Sequence, residues 1–307
     1  MCVNLSFFVA KNAKQKQRGL QVNMISIDSS ASFASSWRSL RLSFSTGILK
    51  TIWILIRKTM ILIAHRGESY DAPENTLAAV NLAWQRDIDA LEVDVHLTKD
   101  GTMVVIHNSY ILDINGELKN VKDQTLEELK QLDVGKYKGE QWKHEKIPTL
   151  QEILETVPTG KTIFIEIKCR SEILPELKTV LKKSRLKPDQ IKLIGFDFET
   201  MKILKSHLPQ YEIYLIFDMN KDKSKNSWQP AVDYMIETAD QAGANGIDVK
   251  ACEAVNKSFV EKVKTANLKL YVWTVNDPVE AKQLIEAGVD GITTDRPQWL
   301  KAELNGL

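Results

Sequence analysis

Cysteine is scarce in this sequence of 307 residues, with Cys2, Cys169 and Cys252 far apart along the chain. Their spacing is not that of a metal site, and so few cysteines suit a reducing compartment. The sequence also lacks the run of roughly 20 apolar residues that a membrane-spanning helix needs. The apolar run that begins at Gly47 is much shorter, and no small-residue cleavage site follows it. We therefore expect a cytoplasmic protein without stable membrane insertion.

Acidic residues are nearly missing from residues 1–59, which carry nine Lys and Arg but one acid, Asp28, and hence a net charge of +8. Since the whole chain carries +1, residues 60–307 carry about −7, and an acidic domain argues against a nucleic-acid partner. We interpret residues 1–59 as a disordered or non-native extension, with translation starting at Met60. The Ser- and Arg-rich composition leaves an organellar transit peptide as the alternative.

The remaining 248 residues, 60–307, match the length of about 250 residues that is typical of a (β/α)8 barrel. Helical patterns alternate with strand patterns, and two helices begin with capping boxes at Thr125 and Thr149. This alternation implies right-handed βαβ units and a parallel sheet. The predicted fold is therefore α/β, a (β/α)8 TIM barrel with a small insertion at residues 109–148 after the second strand. The eight predicted strands are residues 61–65, 91–96, 162–168, 191–196, 212–217, 246–250, 270–275 and 291–295.

Charged residues interrupt the second predicted strand, where Glu92 and Asp94 alternate with valines and so share one face. Charged groups inside a buried strand are usually retained because something binds there. The Asp100-Gly101 pair indicates a hairpin turn. With these two as the loop residues, His107 pairs with Asp94 on the same face.

Other strands add further polar groups at their ends. Glu166 and Lys168 share a face of the third strand, and His65-Arg66 ends the first. Together with Glu92 and Asp94, Glu166 completes three hard oxygen ligands, which suit Mg²⁺ or Ca²⁺ rather than Zn²⁺.

The positive side chains predict an anionic substrate, because Arg66 and Lys168 are suitable partners for a phosphate. His65 and His107 provide a base and an acid with pKa values near neutrality. A cation, two basic side chains and two imidazoles together favour cleavage of a phosphodiester.

The same residues lie in motifs that resemble the glycerophosphodiester phosphodiesterase family from about Met60 to the C-terminus. The resemblance implies a barrel enzyme that releases glycerol 3-phosphate and an alcohol from deacylated phospholipids. It implies that His65 and His107 form the acid–base pair, and that Arg66 and Lys168 hold the phosphate. Trp273, on the seventh strand, is a further candidate for substrate binding. The cation would be held by Glu92, Asp94 and Glu166, and Glu74 would support them. The matching motifs are His65-Arg66-Gly67, Pro73-Glu74-Asn75-Thr76, Glu92-Val93-Asp94, Val105-Ile106-His107, Glu166-Ile167-Lys168, Trp273-Thr274-Val275-Asn276 and Gly288 to Asp295.

One position departs from the family pattern, which usually has Asp after the second His, where this chain has Asn108. Asparagine keeps the hydrogen-bonding shape but loses the charge, so activity or its pH optimum shifts only if the aspartate orients His107 or raises its basicity. We expect Asn108→Asp to leave the activity within roughly tenfold.

Three alternatives compete with this interpretation. The first is a lysophospholipase D or another phospholipase-type enzyme of the same barrel, which an extended apolar groove would favour. The second is a non-catalytic phosphate-binding barrel, and the third is a metal-dependent sugar isomerase or aldolase. The sequence leaves the oligomeric state open.

Overall fold

The computed structural model describes residues 60–224 and 226–306, so the predicted extension at residues 1–59 lies outside the described residues. The strands are β1 (Ile61–His65), β2 (Ala90–Leu97), β3 (Met103–Val105), β4 (Tyr110–Leu112), β5 (Leu118–Asn120), β6 (Thr162–Ile167), β7 (Ile191–Gly195), β8 (Glu212–Phe217), β9 (Asn220–Asp222), β10 (Ser227–Gln229), β11 (Gly246–Lys250), β12 (Lys269–Trp273) and β13 (Gly291–Thr294). Eight parallel strands close into a barrel in the order β1-β13-β12-β11-β8-β7-β6-β2, and β2 pairs with β1. This arrangement confirms the predicted TIM barrel.

Helices follow the barrel strands and cover the outside of the barrel. Thr125 and Thr149 both form the predicted capping boxes, with Glu128 and Glu152 as their partners. No helix of the described residues is long and apolar enough to cross a membrane. The helices are Leu77–Gln85, Leu126–Gln131, Leu150–Leu154, Leu174–Lys183, Phe198–His207, Val232–Ala242, Lys257–Thr265, Pro278–Ala287 and Pro297–Gly306.

The strands sort their side chains into two apolar regions, because alternate residues of a strand face opposite sides of the sheet. Outward residues such as Val93 and Val95 pack against the helices. Inward residues fill the barrel with a small cluster in which Phe164 and Tyr214 stand edge-on to Tyr271, with ring centroids 5.0 and 4.9 Å apart. The barrel interior is therefore packed, and polar side chains are left for the C-terminal ends of the strands.

The β2–β3 hairpin differs from the prediction by one residue, because Val95 pairs with Val105 rather than His107 with Asp94. The loop has three residues instead of two: the Thr98 N–H donates to the Thr102 carbonyl, and the Thr102 N–H donates back to the Thr98 hydroxyl. A three-residue loop with Gly101 in the left-handed region is a common hairpin connection.

Three details of local structure go beyond the prediction. The insertion holds an antiparallel hairpin, β4–β5, besides the helix Leu126–Gln131, and the first helix begins at Leu77, capped by Thr76. The end of the eighth barrel strand leads into the helix Pro297–Gly306. Short strands escape a pattern test because three residues carry too little periodicity.

Candidate active site

Three carboxylates converge inside the barrel at the C-terminal ends of two neighbouring strands. Asp94 pairs in register with Glu166, and Glu92 lies two residues before Asp94 on the same face. One carboxylate oxygen from each of the three residues lies within 4.8 Å of the others, and all three residues are buried. The structure thus brings together the three predicted metal ligands.

The charges of this cluster favour a bound cation. Burial and the neighbouring Asp94 and Glu166 carboxylates raise the pKa of Glu92 well above its ordinary value. Burial and Asp94 likewise raise the pKa of Glu166 to about 7, although Lys168 opposes them. Glu92 Oε1 is buried without a hydrogen-bond partner among the described residues. An unsatisfied carboxylate oxygen beside two other carboxylates fits a hard divalent cation such as Mg²⁺ or Ca²⁺.

Two basic side chains border the carboxylates. Arg66 Nε lies 3.2 Å from Asp94 Oδ2, and its Nη1 donates to Glu74 Oε1 at 2.9 Å. Lys168 Nζ lies 2.5 Å from Glu166 Oε1 and 3.0 Å from Asp94 Oδ1. Burial alone would raise the pKa of Asp94, but these two cations lower it. Asp94 therefore stays charged, and Glu74 holds the guanidinium in place.

Asn75 also holds Asp94, although the sequence analysis gave it no role. Its side-chain amide donates to Asp94 Oδ2 at 2.8 Å, and its oxygen accepts from the Asp94 N–H at 3.2 Å. The residue takes a left-handed backbone conformation just before the cap residue Thr76, so the turn before the first helix directs it into the barrel.

His65 ends β1 and contacts Asp295, which comes directly after β13. The His65 Nδ1–H donates to Asp295 Oδ1 at 2.6 Å, and Asn276 Nδ2 donates to Asp295 Oδ2 at 2.7 Å. Burial opposes ionisation of Asp295, but its hydrogen bond and attraction to His65 lower the pKa of this carboxyl. A charged Asp295 fixes the proton of His65 on Nδ1, which leaves Nε2 for proton transfer.

His107 reaches the same cavity, but not through strand pairing. The chain leaves β3 after Val105, and the His107 carbonyl accepts from His96 Nε2 at 3.1 Å. The His107 Nδ1–H donates to Asn108 Oδ1 at 2.9 Å. Burial lowers the pKa of His107, with Lys168 and Arg66 adding to the effect and Asp94 opposing it. His107 therefore also presents Nε2 as its free nitrogen.

A cavity of about 190 Å³ joins these groups. Trp273 contributes an indole N–H that is buried and lacks a hydrogen-bond partner among the described residues, and its ring stands edge-on to Phe196 at 6.0 Å. The Trp273 N–H is thus available to a ligand, as its predicted role in substrate binding requires. The polar and aromatic lining residues are His65, Arg66, Glu92, His107, Glu166, Lys168, Phe196, Asp248, Trp273, Thr274 and Thr293.

Asp248 is a lining residue that the sequence analysis missed. It lies on β11, is 3% exposed, and its Oδ1 has no hydrogen-bond partner among the described residues. Burial and the nearby Glu166 raise its pKa well above the ordinary value. The signal was present in the sequence, because Asp248 lies between two apolar residues as Glu92 and Asp94 do.

Comparisons with known proteins agree with the family that the sequence motifs resemble. The model of the glycerophosphoryl diester phosphodiesterase family matches residues 65–299. A glycerophosphodiester phosphodiesterase of Caldanaerobacter subterraneus is 35% identical over 248 residues, which cover 79% of this chain and 96% of that protein. A putative glycerophosphodiester phosphodiesterase of Bacillus subtilis, YhdW, is 33% identical over 78% of this chain and 96% of its own length.

Solved structures share the barrel. A phosphodiesterase of Oleispira antarctica in complex with the product sn-glycerol-3-phosphate is 28% identical, with a TM-score of 0.68 over 81% of this chain and 98% of that chain. A glycerophosphodiester phosphodiesterase of Thermotoga maritima is 26% identical, with a TM-score of 0.62 over 79% of this chain and 97% of that chain.

Proposed function

Because this chain belongs to the glycerophosphoryl diester phosphodiesterase family, we propose that it hydrolyses a glycerophosphodiester to glycerol 3-phosphate and an alcohol. The observation that carries the proposal is the cavity of about 190 Å³, in which two imidazoles, two cationic side chains and buried carboxylates meet. Its size suits a small polar ligand, since drug-sized ligands occupy about 300–1,000 Å³. The product named with the Oleispira antarctica structure has this chemistry.

Glu92, Asp94 and Glu166 would hold one divalent cation, Mg²⁺ or Ca²⁺. When bound, the cation would neutralise negative charge on the phosphate and hold its orientation. Arg66 and Lys168 line the same cavity and supply further positive charge to the phosphate oxygens. The indole N–H of Trp273, which has no hydrogen-bond partner within residues 60–224 and 226–306, donates a hydrogen bond to the substrate.

His65 and His107 move the protons. Each uses Nδ1 for a hydrogen bond to an oxygen of its neighbour, Asp295 or Asn108, and keeps Nε2 for the reaction. One imidazole takes the proton of the attacking oxygen, and the other donates a proton to the departing alkoxide. Water can supply the attacking oxygen and give glycerol 3-phosphate in one step. In the alternative, the neighbouring hydroxyl of the glycerol attacks, the alcohol leaves, and water then opens the resulting cyclic phosphate to glycerol 3-phosphate; both routes need the same pair of imidazoles.

Turnover of glycerophosphocholine tests the proposal. The purified full chain with Mg²⁺ or Ca²⁺ should release glycerol 3-phosphate, and a chelator should stop the release. His107→Ala should abolish turnover without lowering the unfolding temperature, while the control His207→Ala, which changes a histidine at the end of an outer helix, should leave turnover unchanged. Phosphate binding without turnover would favour the non-catalytic barrel instead.

The cytoplasmic location stays a prediction. Mass spectrometry of N-terminal peptides checks it, because a start at Met60 supports the cytoplasm. Peptides from upstream of Met60 in an organelle fraction would support the transit-peptide alternative.

A further inference from the structure

One wall of the catalytic cavity holds an acidic side chain that the proposed reaction leaves unused. This residue, Asp248, lies on β11, which stands opposite β2 in the closed barrel, with β8, β7 and β6 between them on one side and β12, β13 and β1 on the other. In the part of the chain that the structure describes, the carboxylates that approach one another within 4.8 Å are those of Glu92, Asp94 and Glu166. Asp248 therefore lies apart from the group that would hold the cation.

The surroundings of Asp248 offer no donor to its Oδ1. The residue is 3% exposed, and this oxygen accepts no hydrogen bond within residues 60–224 and 226–306. Its partners in the sheet are Ile216 on β8 and Tyr271 on β12, and the nearby Glu166 carboxylate repels it. A buried acceptor that lacks a donor costs free energy. A ligand that supplies the donor would remove this cost.

A donor in the same state lies on the next strand. Asp248 pairs with Tyr271, and Trp273 follows two residues later on the same face of β12. The Trp273 indole N–H is buried and also lacks a partner among the described residues. Asp248 and Trp273 both line the catalytic cavity. Two adjacent strands thus present one unused acceptor and one unused donor to the same cavity.

An acceptor and a donor together favour a hydroxyl as the group that they bind. A hydroxyl both donates and accepts, whereas an ammonium has no acceptor for the indole N–H, and an ionised phosphate oxygen has no proton for the aspartate. An aspartate oxygen accepts from a hydroxyl whether or not the carboxyl is ionised. Ile216, which pairs with Asp248, adds apolar surface to the cavity that offers a hydroxyl no competing partner.

We propose that Asp248 and Trp273 together bind the terminal hydroxyl of the glycerol and thereby determine the specificity for this part of the substrate. The inference rests on the proposed function, since it concerns the same substrate. Because the phosphate binds at the opposite wall, the glycerol carbon farthest from it reaches toward β11, and the hydroxyl next to the phosphate ester stays near the imidazoles. The terminal hydroxyl donates to Asp248 Oδ1 and accepts from the Trp273 N–H.

This contact also distinguishes two classes of substrate. A terminal hydroxyl that carries an acyl chain has no hydrogen to donate, so Asp248 would stay without a donor. A site built to bind a hydroxyl rejects an analogue that lacks it, because the buried polar groups are left unpaired. The inference therefore favours the deacylated diester over a lysophospholipid with its acyl chain at the terminal position.

The phosphocholine diester of 1,2-propanediol tests the inference, because it is glycerophosphocholine with hydrogen in place of the terminal hydroxyl. For the wild type we expect kcat/KM, measured by release of choline, to be about tenfold to a hundredfold lower on this analogue. Asp248→Leu should lower kcat/KM for glycerophosphocholine by a similar factor and leave kcat/KM for the analogue unchanged. The preference for the terminal hydroxyl should therefore vanish in this variant.

Two further variants separate recognition from a change in structure. Asp248→Asn keeps an acceptor oxygen and should retain most of the preference. Ile216→Val trims the apolar side chain that pairs with Asp248 and should leave the preference unchanged. Asp248→Leu removes a buried acid that lacks a donor, so its unfolding temperature should not fall, and Mg²⁺ or Ca²⁺ should raise that temperature as in the wild type.

Several results would overturn the inference. A preference that survives in Asp248→Leu, or equal losses on both diesters, would leave the residue without a role in recognising the hydroxyl. Loss of the rise in unfolding temperature with Mg²⁺ or Ca²⁺ would make Asp248 a cation ligand. A loss confined to glycerophosphoethanolamine would make it the partner of a headgroup ammonium.

Binding of the product separates this inference from the proposed function. If the wild type hydrolyses neither diester, the proposed function fails, and calorimetric titration with glycerol 3-phosphate and with 1,2-propanediol 1-phosphate decides the inference. Tighter binding of glycerol 3-phosphate to the wild type, with the difference lost in Asp248→Leu, would support it. Equal binding of the two phosphates, or binding of neither, would contradict it.

Discussion

At the scale of single residues, the active site depends on pairs that are distant in sequence. His65 and Asp295 are 230 residues apart and share a hydrogen bond of 2.6 Å. The sequence indicated His65 because it ends a strand, but nothing local marked Asp295 as its partner. Only closure of the barrel, with β1 beside β13, brings the two together, so the sequence analysis gave Asp295 no role in the site.

Asp295→Asn should slow turnover by about 10²–10⁴-fold, because the amide cannot stabilise the protonated His65 imidazole as the carboxylate does. The loss should lie in kcat rather than KM, since Asp295 acts through His65. Steady-state kinetics and a pH–rate profile measure both. Asp233→Asn, which changes a surface carboxylate paired with Lys262, is the control, and an unchanged kcat in Asp295→Asn would contradict the role.

Asn108 is the position at which the chain departs from its family, and its side-chain oxygen accepts from His107 Nδ1 at 2.9 Å. Asn108→Asp keeps this hydrogen bond and adds a charge on the exposed side of the ring. We expect the activity to change by no more than about tenfold, or about 1.4 kcal/mol. Comparison of kcat/KM over a range of pH checks this, and a larger change would mean that the charge at residue 108 controls the imidazole.

At the scale of elements, the sequence predicted all eight barrel strands, because long apolar runs bounded by helices are strong signals. It could not predict the register of β2 with β3, which depends on whether the loop has two or three residues. His107 still reaches the cavity, because β3 ends at Val105. The side chains after Val105 no longer alternate between two faces as they do within a strand. The β4–β5 hairpin escaped prediction, since strands of three residues each cannot be told from loop in the sequence.

A partly buried ion pair joins the strands β7 and β8, since the Lys192 side chain is 10% exposed and the Glu212 side chain 30% exposed. Burial alone would raise the pKa of the Glu212 carboxyl, but Lys192 Nζ at 2.5 Å, with further help from Tyr214 and Lys269, lowers it to about 2. A carboxyl with a lowered pKa contributes stability that is fully present above its ordinary pKa of about 4.3. That contribution is lost as the pH falls through about 2.

Glu212→Gln should therefore lower the free energy of unfolding at neutral pH, and its difference from wild type should shrink as the pH falls below about 4. Urea unfolding at a series of pH values measures the difference. Glu261→Gln on the outer helix Lys257–Thr265 is the control and should give a small difference at every pH. A difference for Glu212→Gln that does not vary with pH would show that the ion pair does not stabilise the fold.

At the scale of the whole molecule, the barrel follows from chain length and the alternation of strands and helices, both of which are visible in the sequence. The barrel also explains why the chain tolerates buried charged side chains, whose removal from water costs free energy. Parallel strands bring their C-terminal ends to one face, so Glu92, Asp94 and Glu166 meet although 72 residues separate Asp94 from Glu166. Asp248 shows the limit of prediction from the sequence. It is the single acid of its strand, and without a second acid two residues away it was not recognised as a site residue.

The convergence of these carboxylates on one divalent cation is the central claim, and thermal unfolding with and without Mg²⁺ or Ca²⁺ tests it most directly. A cation that binds only the folded state stabilises it by about 2.7 kcal/mol at a concentration of 100 times its Kd, so the unfolding temperature of the wild type should rise. Glu92→Gln, which removes the charge but keeps the shape, should lose most of this rise. No rise in the wild type, or an equal rise in Glu92→Gln, would contradict the account.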